Sequence, residues 1–317
     1  REARKTSAGQ SNPTYVLKTD ATQYVLRKKP DGELLRSAHA IDREFRVMDA
    51  LEQSAVPVPR MLHYCEENTL LGTPFYVMSF VEGVSFLDPR CGQLSPEARR
   101  RVYDSMNQTL AALHLIDPSA LGLQDFGRDG AYFARQLARW TAQYRATQTE
   151  AQPQLANLIQ WLGENLPAEP EAPRLVHGDW RIDNLLFSRL DQSLVAVLDW
   201  ELATLGNPLA DLGAQLMQWA MPTGEEGRGL KGVPRRAKGL PEDRAYVEDY
   251  AQRVGLPDIP DMRFPVAFAF FRMAAILQGV KKRGLDGNAS NPEQARKLAR
   301  MIPVYAQSAI AYLENQA

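Results

Sequence analysis

Two short β-prone runs, Thr14-Tyr-Val-Leu-Lys18 and Gln23-Tyr-Val-Leu-Arg27, flank the polar stretch Thr19-Asp-Ala-Thr22, a pattern that predicts a hairpin. Pro30-Asp-Gly32 ends that segment. The period then changes. Ile41, Phe45, Met48 and Leu51 recur at helical spacing within residues 38–53, the apolar stripe of an amphipathic helix. Val56-Pro-Val-Pro59 closes it, because a residue before proline avoids helical backbone angles. Strands are expected at 63–66 and 75–80, with Glu82-Gly83 breaking the second. Residues 1–82 therefore predict a small sheet crossed by one helix.

Helical spacing dominates from residue 83 onward. Ser95-Pro-Glu97 combines an N-cap hydroxyl, proline at the first helical position and an acidic first turn, and Val102, Met106, Leu110 and Leu113 continue one apolar stripe. Further helices are expected near 130–146, 152–165, 208–220, 242–254, 264–283 and 292–314. A strand pair carrying Asp179 and Asp199 falls between the second and third of these. Residues 221–240, with Gly-Glu-Glu-Gly-Arg-Gly and Pro-Arg-Arg, read as a long mobile loop. No internal repeat is visible. The fold class is α+β, with a β-rich lobe over 1–82 and a helical lobe over 83–317.

Composition narrows function by exclusion. A chain of 317 residues that is 44% hydrophobic and 24% charged is ordinary folded protein. With 37 basic against 38 acidic residues, no overall field draws it toward nucleic acid or a membrane, and neither is expected as a partner. Phosphate recognition must be local. Cys65 and Cys91 are too few for a disulfide framework and lack metal-binding spacing, which fits a reducing cytoplasm. The longest apolar run, 264–280, is shorter than the ~20 residues of a spanning helix and contains Arg272, so it reads as a buried helix. The opening Arg1-Glu2-Ala3-Arg4-Lys5 carries neither initiator Met nor apolar leader, as a trimmed N-terminus would.

The candidate chemistry lies in Leu175-Val-His-Gly-Asp-Trp-Arg-Ile-Asp-Asn-Leu-Leu-Phe187 and, after a hairpin, Val195-Ala-Val-Leu-Asp-Trp200. Phosphoryl transfer needs one carboxylate to orient and deprotonate the attacking hydroxyl, and an amide plus a second carboxylate to hold Mg²⁺ on the ATP phosphates. Asp179, Asn184 and Asp199 fill those roles in chain order. Asn207-Pro-Leu-Ala-Asp-Leu212, opening the next helix, adds specificity. Turn and cap residues are the plain alternative. A metallohydrolase built on His177-Gly-Asp179 is another, but His39, His63 and His114 have no ligand spacing with His177.

The chain resembles the phosphotransferase family that contains aminoglycoside phosphotransferases and choline kinases and shares the protein-kinase fold. Within it, the chain is similar to the kinase-like domain joined to acyl-CoA dehydrogenases and to free-standing bacterial relatives. Gly9-Gln-Ser-Asn-Pro-Thr-Tyr15, Tyr24-Val-Leu-Arg-Lys-Lys-Pro30, His177-Gly-Asp-Trp-Arg-Ile-Asp-Asn184, Leu198-Asp-Trp-Glu-Leu-Ala-Thr-Leu-Gly206 and Phe271-Arg-Met-Ala-Ala-Ile-Leu-Gln-Gly279 carry the resemblance over nearly the whole chain. It implies a nucleotide-binding lobe at 1–82, a catalytic and substrate lobe at 83–317, ATP and Mg²⁺, and a small-molecule hydroxyl acceptor. Asp179 matches the base, Asn184 and Asp199 the Mg²⁺ ligands, and His177 the brace of the catalytic loop. Asp211 matches the group that hydrogen-bonds this loop from behind. Arg181 stands where protein kinases place a Lys that neutralises the transferred phosphoryl group; binding of an anionic substrate is its other role. Trp200 and Glu201 replace Phe-Gly, which argues against a flipping activation segment, and Ala-Pro-Glu is absent, which argues against a protein kinase.

Arg27 departs from the Lys of the broad family, and its guanidinium can bridge two phosphate oxygens while still pairing with a carboxylate. Glu44 lies beside Ile41 and Met48, where an unpaired carboxylate would be costly. It is the expected partner of Arg27, with Lys28 or Lys29 as the alternative. Ser11 and Asn12 are expected near the phosphates. Met78, Ser79, Phe80 and Val81 are expected at the adenine, in the connector between lobes. Arg272 reads as a buried arginine with a carboxylate partner, or as a substrate-anion contact, and Asp183 as a supporting group or a turn former. The resemblance suggests a hydroxyacyl-CoA or related hydroxy acid as acceptor, which basic residues at 228–238 and Lys281-Lys-Arg283 could meet. An aminoglycoside would call for an acidic patch, and Glu225-Glu226 is the only acidic doublet in the long loop. A catalytically silent nucleotide-binding module is a further alternative, and a homodimer is compatible with the sequence.

Overall fold

The computed structural model describes residues 2–6, 12–30, 40–67, 70–128, 130–170, 172–224, 227–288 and 291–315. Its first lobe is a five-stranded antiparallel sheet in the order β1-β2-β3-β5-β4, formed by β1 (Glu2–Lys5), β2 (Thr14–Lys18), β3 (Gln23–Lys28), β4 (Met61–Cys65) and β5 (Phe75–Ser79). The expected hairpin is β2–β3, with Val16 opposite Val25, and its turn is closed by the Thr19 hydroxyl, which accepts from the Thr22 N–H at 3.0 Å. Strand β1 was not anticipated. All four of its residues are exposed, so no buried face marks it in the sequence. Helix α1 (Ile41–Leu51) packs against β4 and β5 and buries Ile41, Val47, Met48, Leu51 and Glu44.

Val84 crosses into the second lobe by exchanging two 2.9 Å backbone hydrogen bonds with Phe187. That lobe holds α2 (Pro96–Leu115), α3 (Tyr132–Thr147), α4 (Pro153–Glu164), α5 (Leu209–Ala220), α6 (Asp243–Val254), α7 (Arg263–Leu285), α8 (Pro292–Ala299) and α9 (Met301–Asn315). The Ser95 hydroxyl caps α2 through the Ala98 N–H at 3.2 Å. One helix was expected over 292–314, but the chain breaks at Arg300. Pro303 has no N–H to donate, and its ring clashes with the carbonyl four residues back, so the chain must restart there.

Helix α7 is the axis of the lobe, with α3, α4, α5, α8 and α9 packed around it. By length and composition it could cross a membrane, yet 72% of its apolar window is buried within the protein. Its Arg272 has no ion pair among the described residues. Instead the guanidinium lies 5.6 Å from the centre of the Trp140 ring, which replaces the expected carboxylate partner. The 221–240 segment, expected as a mobile loop, is tied down over its described residues: Leu230 and Leu240 are buried, and the Leu230 N–H donates to the Trp219 carbonyl at 2.9 Å.

Helices α5 and α7 touch at Gly213, where a Cβ would sit 2.6 Å from the Pro265 carbonyl carbon. Alanine would gain up to ~1 kcal/mol of helix propensity there, but it would have to displace backbone. We expect Gly213→Ala to lower stability by about 1–3 kcal/mol in urea denaturation; an unchanged or raised midpoint would contradict this packing.

Candidate active site

A single strand pair was expected to carry the two aspartates. Instead there are two pairs, β6 (Arg174–Val176) with β9 (Thr204–Gly206) and β7 (Leu185–Phe187) with β8 (Leu194–Val197), and the aspartates lie in loops beyond strand ends. Asp179 follows β6, and Asp199 follows β8 with left-handed angles of φ 66° and ψ 60°. Such angles are costly for a non-glycine residue and are typical of functional sites. Gly178 is required for two reasons. Its φ is +81°, and a Cβ there would fall 2.4 Å from the Leu202 carbonyl oxygen.

His177 joins the two loops. Its Nδ1 accepts from the Asp179 N–H at 3.2 Å and its Nε2 donates to the Leu198 carbonyl at 2.9 Å, a pairing that assigns the proton to Nε2. Trp180 and Trp200 flank the ring, with centroids at 5.8 and 4.8 Å. Behind it, Asp211 at the start of α5 accepts from the His177 and Gly178 N–H groups at 2.7 and 2.8 Å. His114 Nε2 lies 3.3 Å from the same carboxylate and its Nδ1 2.7 Å from the Tyr250 hydroxyl. Burial opposes the Asp211 charge, but these donors and the two histidines outweigh it and hold its pKa below the ordinary value.

Across the cleft, Arg27 on β3 reaches three carboxylates. Its Nε is 3.2 Å from Glu44, its Nη2 is 2.7 Å from Asp199, and Glu201 lies 4.0 Å away. Glu44 is fully buried, and burial pushes its carboxyl up to about 7 against the pull of the Arg27 guanidinium. Burial also works against the Arg27 charge, yet Glu44 and Asp199 keep its pKa above the usual arginine value. Helix α1, which presents Glu44, is clamped to the second lobe. Arg43 donates to the Phe126 carbonyl at 2.6 Å and lies over that ring at 4.1 Å, while Arg46 reaches the Gly122 carbonyl at 2.8 Å and pairs with Asp125.

Between the lobes lies a cleft of about 260 Å³ lined by Arg27, Glu44, Asp183, Asn184 and Asp199 at one end and by Met78, Ser79, Phe80 and Val81 at the other. Thr6, Thr14, Val16, Val25 and Pro59 also face it, and the sequence reading did not include them. Asn12 is buried beside β2, and its carbonyl accepts from the Thr14 hydroxyl at 3.1 Å. Ser11 lies outside the described residues. The Asn184 amide nitrogen donates to the Asp179 carbonyl and carboxylate at 2.9 and 3.0 Å, leaving its amide oxygen as the group to offer a cation. With Asp199 it fits a Mg²⁺ ion, which typically takes one or two protein ligands and completes its shell from phosphates and water.

Arg181 Nε is 3.3 Å from Asp179 and its Nη2 is 3.2 Å from Asp183, which Arg228 also reaches at 3.4 Å. Asp183 is thus the hub of a charge cluster. Its position before Asn184 was the only signal in the sequence, and the pairing with Arg228 spans too many residues to be read there.

A model of the phosphotransferase enzyme family that takes its name from the aminoglycoside phosphotransferases, APH, matches residues 2–264. The chain belongs to this family. APH phosphotransferases transfer phosphate to hydroxyl groups of small molecules. The chain is 41% identical to a Ralstonia eutropha protein provisionally assigned as an aminoglycoside phosphotransferase. Its crystal structure superposes with a TM-score of 0.89 over 99% of this chain and 92% of that one. Acyl-CoA dehydrogenase family member 10 of Mus musculus is 45% identical over 297 residues, and member 11 of Gallus gallus 40% over 311. These matches cover 93% and 97% of this chain but span only 28% and 40% of those relatives. A ternary complex of aminoglycoside phosphotransferase APH(4)-Ia with ADP and hygromycin B shares the fold at a TM-score of 0.61 and 18% identity, over 97% of this chain and 94% of that one.

Because the Asp211 pKa is depressed, its stabilisation is complete above the ordinary carboxylate pKa of ~4 and is lost as pH falls through the lower folded value. Asp211→Asn should therefore cost on the order of 3 kcal/mol at pH 7, with the gap to the parent closing in acid. Denaturation at graded pH measures it, and a gap that is constant down to strongly acidic pH would refute the charged role of Asp211.

Proposed function

We propose that this phosphotransferase binds MgATP in the interlobe cleft and transfers the γ-phosphoryl group to a hydroxyl of a hydroxyacyl-CoA or related hydroxy acid. Arg27, Asn184 and Asp199 line the cleft together, and Asn184 hydrogen-bonds Asp179 just behind that lining at 3.0 Å; this arrangement carries the reading. Asp179 is oriented by Asn184 and Arg181, and it takes the proton of the acceptor hydroxyl as that oxygen bonds to the γ-phosphorus and ADP leaves. Arg27 pairs with Glu44 through Nε and with Asp199 through Nη2, which leaves Nη1 as the nitrogen it would offer a phosphate oxygen. Arg181, paired with Asp179 and Asp183 through Nε and Nη2, would offset charge on the transferred group through Nη1. Asn184 and Asp199 would hold Mg²⁺, which offsets phosphate charge when bound. The adenine would lie against Met78, Ser79, Phe80 and Val81.

The acyl acceptor is supported by relatives named as acyl-CoA dehydrogenases whose chains continue well beyond the matched region. An aminoglycoside acceptor is the second reading and rests on the name of the Ralstonia eutropha protein. Arg181 and Arg228 are matched in charge by Asp179 and Asp183, so this cluster by itself favours neither acceptor. Both cysteines are free and buried, in keeping with a reducing cytoplasm.

Asp179→Asn should retain ATP binding near the parent affinity while turnover falls about 10²–10⁴-fold. Calorimetric nucleotide titration and coupled ADP release on the same preparation separate the two effects. Turnover at the parent rate would remove Asp179 from the mechanism.

A further inference from the structure

The charge cluster beside the base has a buried end and an open end. Asp183 is only 9% exposed, and its Oδ1 has no partner among the described residues. Its Oδ2 receives both Arg181 and Arg228. Arg181 is committed to Asp179 and Asp183, whereas the Arg228 side chain is 42% exposed and touches Asp183 through Nη1 alone. The rest of its planar fork has no protein partner among the described residues.

Three features set that fork close to Asp179 and hold it there. Arg228 is one carboxylate removed from Arg181 and hence three charge contacts from Asp179. Its backbone is fixed, with a left-handed φ of 47° and its N–H donating to the Gly224 carbonyl at 2.9 Å, while the next residue, Gly229, donates to Pro222 at 2.9 Å. Tyr305 of α9 stands near both guanidinium groups. Burial raises its hydroxyl pKa, while Arg181 and Arg228 pull it down. An acyl oxygen a few bonds from the reacting hydroxyl would meet an uncommitted guanidinium.

We propose that Arg228 is the specificity-determining residue for the acceptor: it binds an acyl oxygen, either the carboxylate of a hydroxy acid or the thioester carbonyl of a hydroxyacyl-CoA, and Asp183 parks it there between turnovers. This deepens the kinase reading above and rests on it. The role is one of positioning and selection, with the chemistry left to Asp179.

The test compares the parent with Arg228→Ala and Arg228→Lys at saturating MgATP. The probes are hydroxy acids of graded chain length, their CoA thioesters, kanamycin and glucose. Arg228 is half exposed, so the variants should fold, and melting curves establish this. Turnover of an acyl probe is expected, with its KM raised tenfold or more in Arg228→Ala, partly restored in Arg228→Lys, and the KM for ATP unmoved. A larger loss on the free acid identifies a carboxylate; a larger loss on the thioester identifies its carbonyl. An unchanged acyl KM in Arg228→Ala, or a parent that prefers kanamycin or glucose, overturns the proposal while the kinase reading stands. If no probe is phosphorylated, the kinase reading is at fault, and binding decides the role of Arg228. Thermal stabilisation of the parent but not of Arg228→Ala by an acyl probe supports it, and equal or no stabilisation overturns it.

Discussion

The buried contact between Arg27 and Glu44 is the constraint from which the rest of the site follows. A carboxylate without a partner at the Glu44 position would be costly, and loss of one member of such a buried pair typically costs about 3–5 kcal/mol. The pair can form only if β3 and α1 hold one relation to each other, and the second lobe fixes that relation through Arg43 and Arg46. Arg27 then extends the network to Asp199 at 2.7 Å. One side chain thus ties the sheet, the helix and the loop after β8 into a single unit. A lysine, with one compact ammonium group, could not serve Glu44 through one nitrogen and Asp199 through another.

The other half of the site is held from behind. Asp211 accepts two backbone N–H groups of the loop that carries Asp179, and His177 links this loop to the strand end before Asp199. Both aspartates therefore sit on short, braced loops whose backbone angles the sheet pairs do not set. This division lets the strained Asp199 conformation persist, because bonds around it over-determine it. Positioning of this kind is what phosphoryl transfer asks of a protein, since little covalent chemistry is required of it.

Much of this was legible in the sequence because it is local. The stripe of Ile41, Met48 and Leu51 fixed which way α1 faces, and Glu44 on that stripe called for a cation. The spacing of Asp179, Asn184 and Asp199 predicted that they meet, and the structure brings Asn184 to Asp179 at 3.0 Å and sets Asn184 and Asp199 on one cleft. What escaped was non-local or lacked a buried face. Strand β1 has no apolar alternation, Arg43 finds its partners in carbonyl groups some 80 or more residues away, and Arg228 meets Asp183 across 45 residues. Arg272 was misjudged because a π face can stand in for a carboxylate. The break between α8 and α9 was in fact readable, at Pro303.

The central claim is that this cleft moves the γ-phosphoryl group of ATP onto an acceptor hydroxyl. Phosphorus NMR of the protein with MgATP and an acyl hydroxy acceptor follows every phosphorus atom at once. The γ signal of ATP should be replaced, mole for mole, by a phosphomonoester on the acceptor alongside ADP. Release of inorganic phosphate alone, or ATP left intact across all classes of hydroxyl acceptor, would contradict it.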